Sequence, residues 1–302
     1  MKSVAWLGAS DGWYCKDLQR AANLDHWPEP IEIHPVAFAD LQVAFRGGAS
    51  SEFSAEANPP HAGRPQPYDA LLVRTMPLGS LEQTIFRMNA LHVAQSNGSR
   101  IINPPRSLEI AIDKWLTLET VRRCGLAIPR TICCQTRDDA MAAWESLGRC
   151  CVVKPIFGGE GRGILRVTDS DMAWRVFSTL EQLRAVIYCQ EFLEGPGFDL
   201  RLLVIGDALF CVKRSGNGDW RTNVARGGSA QMHEPSFDQM QMAFKACRAV
   251  GAWMAGIDIL TDSNGRDVIL EVNAVPGWKA TAKALDVDIA RVLLEKLFFC
   301  SL

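Results

Sequence analysis

Two carboxylates and an amide stand at a spacing that suits a hard cation. Asp258 lies in AGIDIL (255–260), and Glu271 and Asn273 lie two apart in ILEVNAVPG (269–277). Residues two apart on a strand share a face, so two neighbouring strands would turn three oxygen donors to one point. Such a set suits magnesium, which bridges nucleotide phosphates. The alternative is the polar outer face of a hairpin. It is disfavoured because Ile257, Ile259, Ile269, Leu270 and Val272 make the surroundings apolar, where unpaired carboxylates are costly.

A second segment, VVKPIFGGEGRGI (152–164), delivers Lys154 and then Gly158, Gly159, Gly161 and Gly163. Glycines let backbone N–H groups approach phosphate oxygens, and a lysine supplies a point charge. The loop runs from strand to strand, so it is neither a Rossmann turn nor a Walker loop, both of which open a helix. An ordinary glycine-rich hairpin is the competing reading.

In IYCQEFLE (187–194) an apolar run ends in Gln190, Glu191, Phe192 and Leu193. A strand end of this kind can offer backbone groups to an adenine and a carboxylate to ribose hydroxyls. Taken alone, an edge strand with a solvated Glu191 is the better reading. The segment 213–230 gathers Lys213, Arg214, Arg221 and Arg226 with Asn223 among glycines. Cations on a mobile loop could hold phosphoryl oxygens. A solvated loop and a patch for an acidic acceptor fit the same composition.

The elements that must position these groups are legible in outline. Strands at 2–9, 31–38 and 68–74 alternate with helices at 13–25 and 81–97, which predicts a doubly wound parallel sheet. Residues 46–67, rich in Gly, Ser and Pro, predict an exposed loop. Pro104-Pro105 marks a boundary, followed by one helix over 107–124 that carries Lys114. Strands at 130–135, 150–156, 163–168 and 186–193, with helices between, form a second region. A hairpin at 200–206 and 208–214, a helix at 236–254 and closing strands at 256–261 and 267–273 form a third. The expected domains are 1–103, 104–193 and 194–302.

The bulk composition excludes several classes. The chain has 302 residues, 48% of them hydrophobic and 22% charged, which allows a sizeable core. A net charge of −2 argues against a protein that coats nucleic acid. No apolar run approaches the ~20 residues that span a bilayer, and no targeting segment is visible, so a cytoplasmic location is expected. The 10 cysteines contain no C-x-x-C pair and read as reduced core thiols; the five histidines form no metal-like cluster.

In order along the chain, AIDKW (111–115), VVKPIFGGEGRGI, CQEFLEGPGFDLRLLVIGD, GDWRTNVARGGSA and VILEVNAVPGW resemble the ATP-grasp superfamily, and within it the RimK-like α-L-glutamate ligases. The resemblance covers nearly the whole chain and is densest from 101 to 290. It implies an α/β ATP-grasp fold in which an N-terminal doubly wound domain precedes two α+β lobes that grip ATP. It also implies that Lys114, Lys154, Gln190, Glu191, Leu193 and Asp199 hold nucleotide and that Arg221 faces the phosphoryl or acyl-phosphate group. Asp258, Glu271 and Asn273 would hold two magnesium or manganese ions with Asn223 beside them, and Arg201 would partner the reacting carboxylate.

The implied activity joins a carboxylate to an amine through an acyl-phosphate, with L-glutamate as the incoming amino acid. The acceptor is open between a tetrahydromethanopterin-like pterin, on which Trp278 could stack, and the acidic tail of a ribosomal protein. Arg214 and Arg226 are the cations expected to meet substrate carboxylates. The loop at 46–67 looks longer than in members that modify ribosomal proteins, and Trp278-Lys279 follow Pro276-Gly277, which bears on the acceptor. A non-catalytic nucleotide-binding regulator is the competing class, and the intact Asp258, Glu271 and Asn273 speak against it. Neither nucleic acid nor a membrane is expected as a partner, and a homo-oligomer is possible.

Overall fold

The first sheet is parallel, in the order β2-β1-β5-β6. The molecule, a computed structural model, is described over residues 1–45, 52–55, 68–158, 161–216, 220–222 and 228–300. In chain order the first elements are β1 (Lys2–Leu7), α1 (Trp13–Ala22), β2 (Ile31–Val36), β3 (Leu41–Ala44), β4 (Glu52–Ala55), β5 (Ala70–Val73), α2 (Leu81–Ser96) and β6 (Ile101–Ile102). Helix α1 buries Cys15, Leu18, Ala21 and Ala22, one stripe at helical spacing. Helix α2 opens on a capping box between Ser80 and Gln83. The connection through α1 leads to one side of β1, and β5 pairs on its other side. The strand order therefore reverses between β1 and β5. The exposed loop expected at 46–67 is partly wrong, since 52–55 is a strand paired antiparallel to β3; the rest of that segment lies outside the described residues.

The helix expected over 107–124 is two helices, α3 (Pro105–Ile112) and α4 (Lys114–Arg123). Asp113 ends the first and caps the second, its carboxylate accepting from Leu116 N at 2.9 Å. Aspartate competes with the helix interior and favours the cap, which explains the break. The break places Lys114 at the head of α4. Next come β7 (Thr131–Cys134), α5 (Arg137–Ser146), β8 (Cys151–Lys154), β9 (Leu165–Val167), α6 (Ser170–Gln182) and β10 (Ile187–Glu191). Their strands form an antiparallel sheet in the order β7-β10-β8-β9.

The third sheet, β13-β12-β11-β14-β15, is also antiparallel. It comprises β11 (Phe198–Ile205), β12 (Ala208–Ser215), β13 (Ser229–Met232), β14 (Met254–Thr261) and β15 (Asp267–Asn273), with α7 (Phe237–Ala249) between β13 and β14. Helices α8 (Lys279–Leu285) and α9 (Ile289–Phe298) close the chain. Among the described residues no helix is long and apolar enough to cross a membrane. All ten cysteines are free, five of them buried.

The cores show how these parts are joined. Residues of α5, α6 and the second sheet form a core of their own around Trp144, Phe177 and Ile187. One face of the third sheet packs with Val121 of α4 and with Ala243, Ala246 and Cys247 of α7. Helices at 105–123 thus serve the third sheet as well as leading into the second. The first sheet shares its core with Leu203, Ile205, Met254, Trp278 and the buried stripe of α9. Buried Asn103 tightens that junction. Its amide donates to the carbonyls of Met254 and Ala274 at 2.6 Å each and accepts from the N–H groups of Trp253 and Met254 at 2.7 and 2.9 Å.

Candidate active site

A cavity of about 360 Å³ opens between the second and third sheets. Lys154 and Gln190 face it from one wall, and Asp199, Arg214, Asp258 and Glu271 from the other. Val152, Ile164, Leu260 and Leu270 supply apolar surface.

Strand register explains the first wall. Gln190 pairs with Val152, two residues before Lys154, so Lys154 and Gln190 are diagonal neighbours on one face. Lys154 Nζ donates to Gln190 Oε1 at 2.6 Å, and the Gln190 amide donates to Thr131 Oγ1 and to the Tyr188 hydroxyl. Burial lowers the Lys154 pKa to about 8; Glu271 offsets part of that, and Lys114 adds to it. Lys114 is likewise lowered, by burial above all. Its Nζ donates to Gly158 O at 2.6 Å and its backbone N–H to Ile156 O, so the head of α4 holds the start of the glycine loop. Gly158, Gly161 and Gly163 all adopt positive φ, which only glycine takes without strain. Gly159 lies outside the described residues.

The second wall is a row of charges on one sheet face. Asp199 stands opposite Arg214, Arg201 opposite Asp258, and Asp258 opposite Glu271. Arg214 donates to Asp199 at 2.8 and 2.6 Å and lies 2.8 Å from Asp258. Arg201 meets Asp258 through Nε and through Nη2, the latter at 2.9 Å. Burial opposes the Asp258 charge, but Arg201 and Arg214 hold its carboxyl below the usual range. The ladder shifts register immediately after Asp258. Gly256 is required beside it, since a Cβ there would come 2.6 Å from Arg201 Nη1.

Several expectations change here. Arg214 was expected to meet a substrate carboxylate, but it is buried and spent on Asp199 and Asp258. Asp199 is correspondingly engaged by Arg214 and by the Thr222 hydroxyl. The Glu191 carboxylate lines the cavity and accepts from the Arg130 backbone N–H and guanidinium at 2.7 and 2.8 Å, one bond on each oxygen, which leaves lone pairs for a further donor. Trp278 cannot stack on an acceptor ring. It is 0% exposed, its indole N–H donates to Asp17, and Tyr14 packs edge-on against it at 4.7 Å. Its neighbours are apolar helices of both ends of the chain, so the hydrophobic effect claims it for the core.

Three of the remaining residues come together at the cavity. Phe192 and Leu193 line the cavity, and the Phe192 ring lies 3.6 Å below the Arg166 guanidinium and 5.6 Å from Trp220. Arg221 lines it too and donates to Ile164 O at 3.2 Å. Asn273 Oδ1 accepts from Val275 N at 2.8 Å. Asn223 and Arg226 lie outside the described residues. Thr131, Tyr188 and Arg130, which hold Gln190 and Glu191 in place, gave no signal in the sequence, because cross-strand neighbours are set by register.

The donor set fits a hard cation in part. Glu271 lines the cavity, and among the described residues its carboxylate has neither a hydrogen-bond nor an ion-pair partner. Among those residues no group of three or more His, Cys, Asp or Glu side chains is gathered for a metal. The three oxygens expected at one point are not gathered: Asp258 is paired with Arg201 and Arg214, and the Asn273 oxygen accepts from Val275 N, so Glu271 is the donor that would meet a cation together with oxygens of the substrate phosphates. When bound, such a cation supplies charge neutralisation between nucleotide and acceptor.

Two sheets enclosing a cavity, with a lysine and glycine loop on one side and carboxylates on the other, define the ATP-grasp class of fold. A family model described as a RimK-like ATP-grasp domain matches residues 111–297. The chain is 32% identical to the tetrahydromethanopterin:alpha-L-glutamate ligase of Methanosarcina acetivorans over 258 residues, covering 76% of this chain and 79% of that one. It is 30% identical over 233 residues to a probable alpha-L-glutamate ligase of Mannheimia succiniciproducens, covering 76% of each. Among solved structures, the ATP-grasp ligase PsnB with minimal precursor, Mg and ADP aligns with a TM-score of 0.72 at 18% identity, over 97% of this chain and 96% of that one. A RimK domain protein from Sphaerobacter thermophilus aligns with a TM-score of 0.72 at 18% identity, over 98% and 99%. The chain belongs to the RimK-like ATP-grasp family and is an ATP-dependent, ADP-forming ligase.

Proposed function

We propose that the chain adds L-glutamate to the carboxylate of a small acceptor of the tetrahydromethanopterin-like pterin kind. The observation that carries the ligase chemistry is Glu271, unpartnered among the described residues, facing Lys154 across the cavity. The lysine suits phosphate oxygens, and the carboxylate suits the cation that accompanies them. In this reading Lys114, Lys154 and the glycine loop hold the nucleotide, and Arg221 faces the transferred phosphoryl group. The acceptor carboxylate attacks the γ-phosphorus, releasing ADP and leaving an acyl-phosphate. The glutamate amine then attacks the acyl carbon, phosphate departs, and the amine gives up a proton. Each step needs placement and charge stabilisation, with no side-chain nucleophile.

The choice of glutamate is supported by both relatives and that of a pterin acceptor by the one at 32% identity; the burial of Trp278 removes the residue-based ground for ring stacking. The test is a screen of phosphate release with ATP and magnesium across amino acids and acceptors, read together with product mass. Release that depends on both L-glutamate and a pterin carboxylate, with a glutamyl residue added, supports the reading. Release with a ribosomal-protein tail in place of the pterin rejects the acceptor. A chain that binds ATP and releases no phosphate with any pair rejects the assignment.

A further inference from the structure

Arg74 is a buried cation that the site described above does not use. It follows β5 directly and is 7% exposed. Its guanidinium lies over three aromatic rings, with its carbon 4.7 Å from the centroid of Trp278, 5.3 Å from Tyr14 and 5.9 Å from Trp6. Of its five N–H donors, one makes a hydrogen bond among the described residues, Nη2 to Pro276 O at 2.7 Å. Among the described residues no carboxylate lies within ion-pairing distance of it. Burying a charge without a counter-charge is costly. Aromatic faces recover some of that, and a ligand could recover more.

Its position is also informative. In open α/β sheets, ligands bind outside the carboxyl ends of the strands, where the strand order reverses. Here the reversal falls between β1 and β5. Gly8 directly follows β1 beside Arg74, where a Cβ would come 3.0 Å from Arg74 Cβ. The loop through Ala9 and Ser10, together with Thr75, Gly277 and Lys279, is exposed around this point. Lys279 adds a second cation at the rim, 5.3 Å from the Trp13 ring. A chain of contacts runs from here toward the third sheet: Pro276, whose carbonyl accepts from Arg74, lies against Gly256 and hence beside Arg201.

We propose that this crevice binds a substrate carboxylate other than the one being activated, with Arg74 as its fork-shaped partner. The proposal rests on the ligase reading. The carboxylate could belong to the acceptor or to the incoming amino acid, and both present the same chemistry. A planar guanidinium matches it through two parallel N–H···O bonds.

The test uses the full chain with Arg74→Met and Arg74→Lys, after ATP binding has shown each to be folded. Calorimetry with ADP and magnesium present measures binding of L-glutamate and of N-acetyl-L-glutamate, which has no free amine. Steady-state KM values are taken for ATP and both substrates. The expected result is a rise of about tenfold, the scale of one charge-assisted contact, for one carboxylate ligand, with KM for ATP within about twofold. A rise for N-acetyl-L-glutamate assigns the crevice to the acceptor; a rise for L-glutamate alone assigns it to the amino acid. Arg74→Lys keeps the charge and a donor for Pro276 but loses the fork, so an intermediate rise is expected where Arg74→Met does not fold. Unchanged affinities in the variants, a parallel loss for ATP, or no binding of either ligand by the wild-type chain would overturn the proposal. Failure of the ligase reading is separate, since it appears as missing phosphate release from wild-type protein whatever the variants bind.

Discussion

Replacing Arg214 by methionine separates a structural cation from a substrate ligand. The guanidinium sits between Asp199 and Asp258, with all three side chains at 6–8% exposure. Methionine keeps much of the stem and removes the charge, leaving two carboxylates buried a strand apart. Breaking a buried pair from one side costs about 3–5 kcal/mol. Arg201 still neutralises Asp258, and the Thr222 hydroxyl still donates to Asp199, so the lower figure is expected. At about 2 °C per kcal/mol for a chain of this size, the midpoint should fall by roughly 6 °C. The sign of the pH dependence follows from Asp258. Its folded pKa is depressed in the native chain, so its contribution is present above the unfolded value and is lost as pH falls through the folded one. In the variant the neighbouring Asp199 charge and the missing cation raise that folded pKa. The stability gap between the two proteins should therefore be widest near neutral pH and should narrow on acidification. Urea unfolding followed by tryptophan fluorescence at pH 5 and pH 7.5 measures it, and Asp199→Asn added to the variant should recover part of the loss. Native stability in Arg214→Met with a selective rise in KM for a carboxylate substrate would refute this account.

Other outcomes follow from the same geometry. Lys154, with its pKa lowered from 10.5 to about 8 by burial, should bind ATP best below pH 8 and progressively less well above it, with proton uptake on binding at pH 8.5–9; calorimetry in buffers of different ionisation enthalpy detects this, and a pH-independent affinity from 7 to 9.5 would count against Lys154 as a phosphate ligand. Glu271→Gln should cut turnover on the order of 10²-fold, the scale of one preorganised charge at a reaction centre, and, because Glu271 raises the Lys154 pKa, should move the ATP-binding profile to lower pH. Asn103→Ala removes four hydrogen bonds at the junction of the first and third sheets; at ~1 kcal/mol each, unfolding should become easier by about 4 kcal/mol, and a change below 1 kcal/mol in urea would show that water replaces them.

What the sequence disclosed was residue type and spacing along one strand. Glu271 and Asn273 two apart, Lys154 before its glycines, and the hairpin turn at Gly206-Asp207 all depend on local periodicity, and the structure keeps them. What it withheld were relations between strands. Nothing local says that Asp199 faces Arg214 or that Arg201 faces Asp258, because register is fixed by the whole sheet. An arginine-rich segment therefore reads as solvated or substrate-binding when one of its members is a core cation. Trp278 failed for a related reason. An indole beside Pro-Gly looks like an exposed platform, and its burial depends on α1 and α9, which come from opposite ends of the chain. The break at Asp113 was available in principle, since an aspartate two residues before Trp115 in AIDKW has the chemistry of a cap.

The distribution of partners across the cavity supports the proposed reading of this region as the reactive one. On the third sheet every charge of the row except one is neutralised within the protein: Asp199 by Arg214, and Asp258 by Arg214 and Arg201. Glu271 is the exception. On the facing wall Lys154 and Lys114 hold a neutral amide and a carbonyl, with no carboxylate at ion-pairing distance among the described residues. Both walls thus carry charge that folding leaves uncompensated, and burial depresses the lysines accordingly. In the proposed reading a polyanion that arrives with a hard cation would compensate both walls at once, its oxygens meeting the lysines and its cation Glu271. Either component alone would leave one wall unneutralised. The arrangement therefore favours the two together over each by itself, and the row of internal ion pairs behind Glu271 leaves its carboxylate, among the described residues of that face, free to take part.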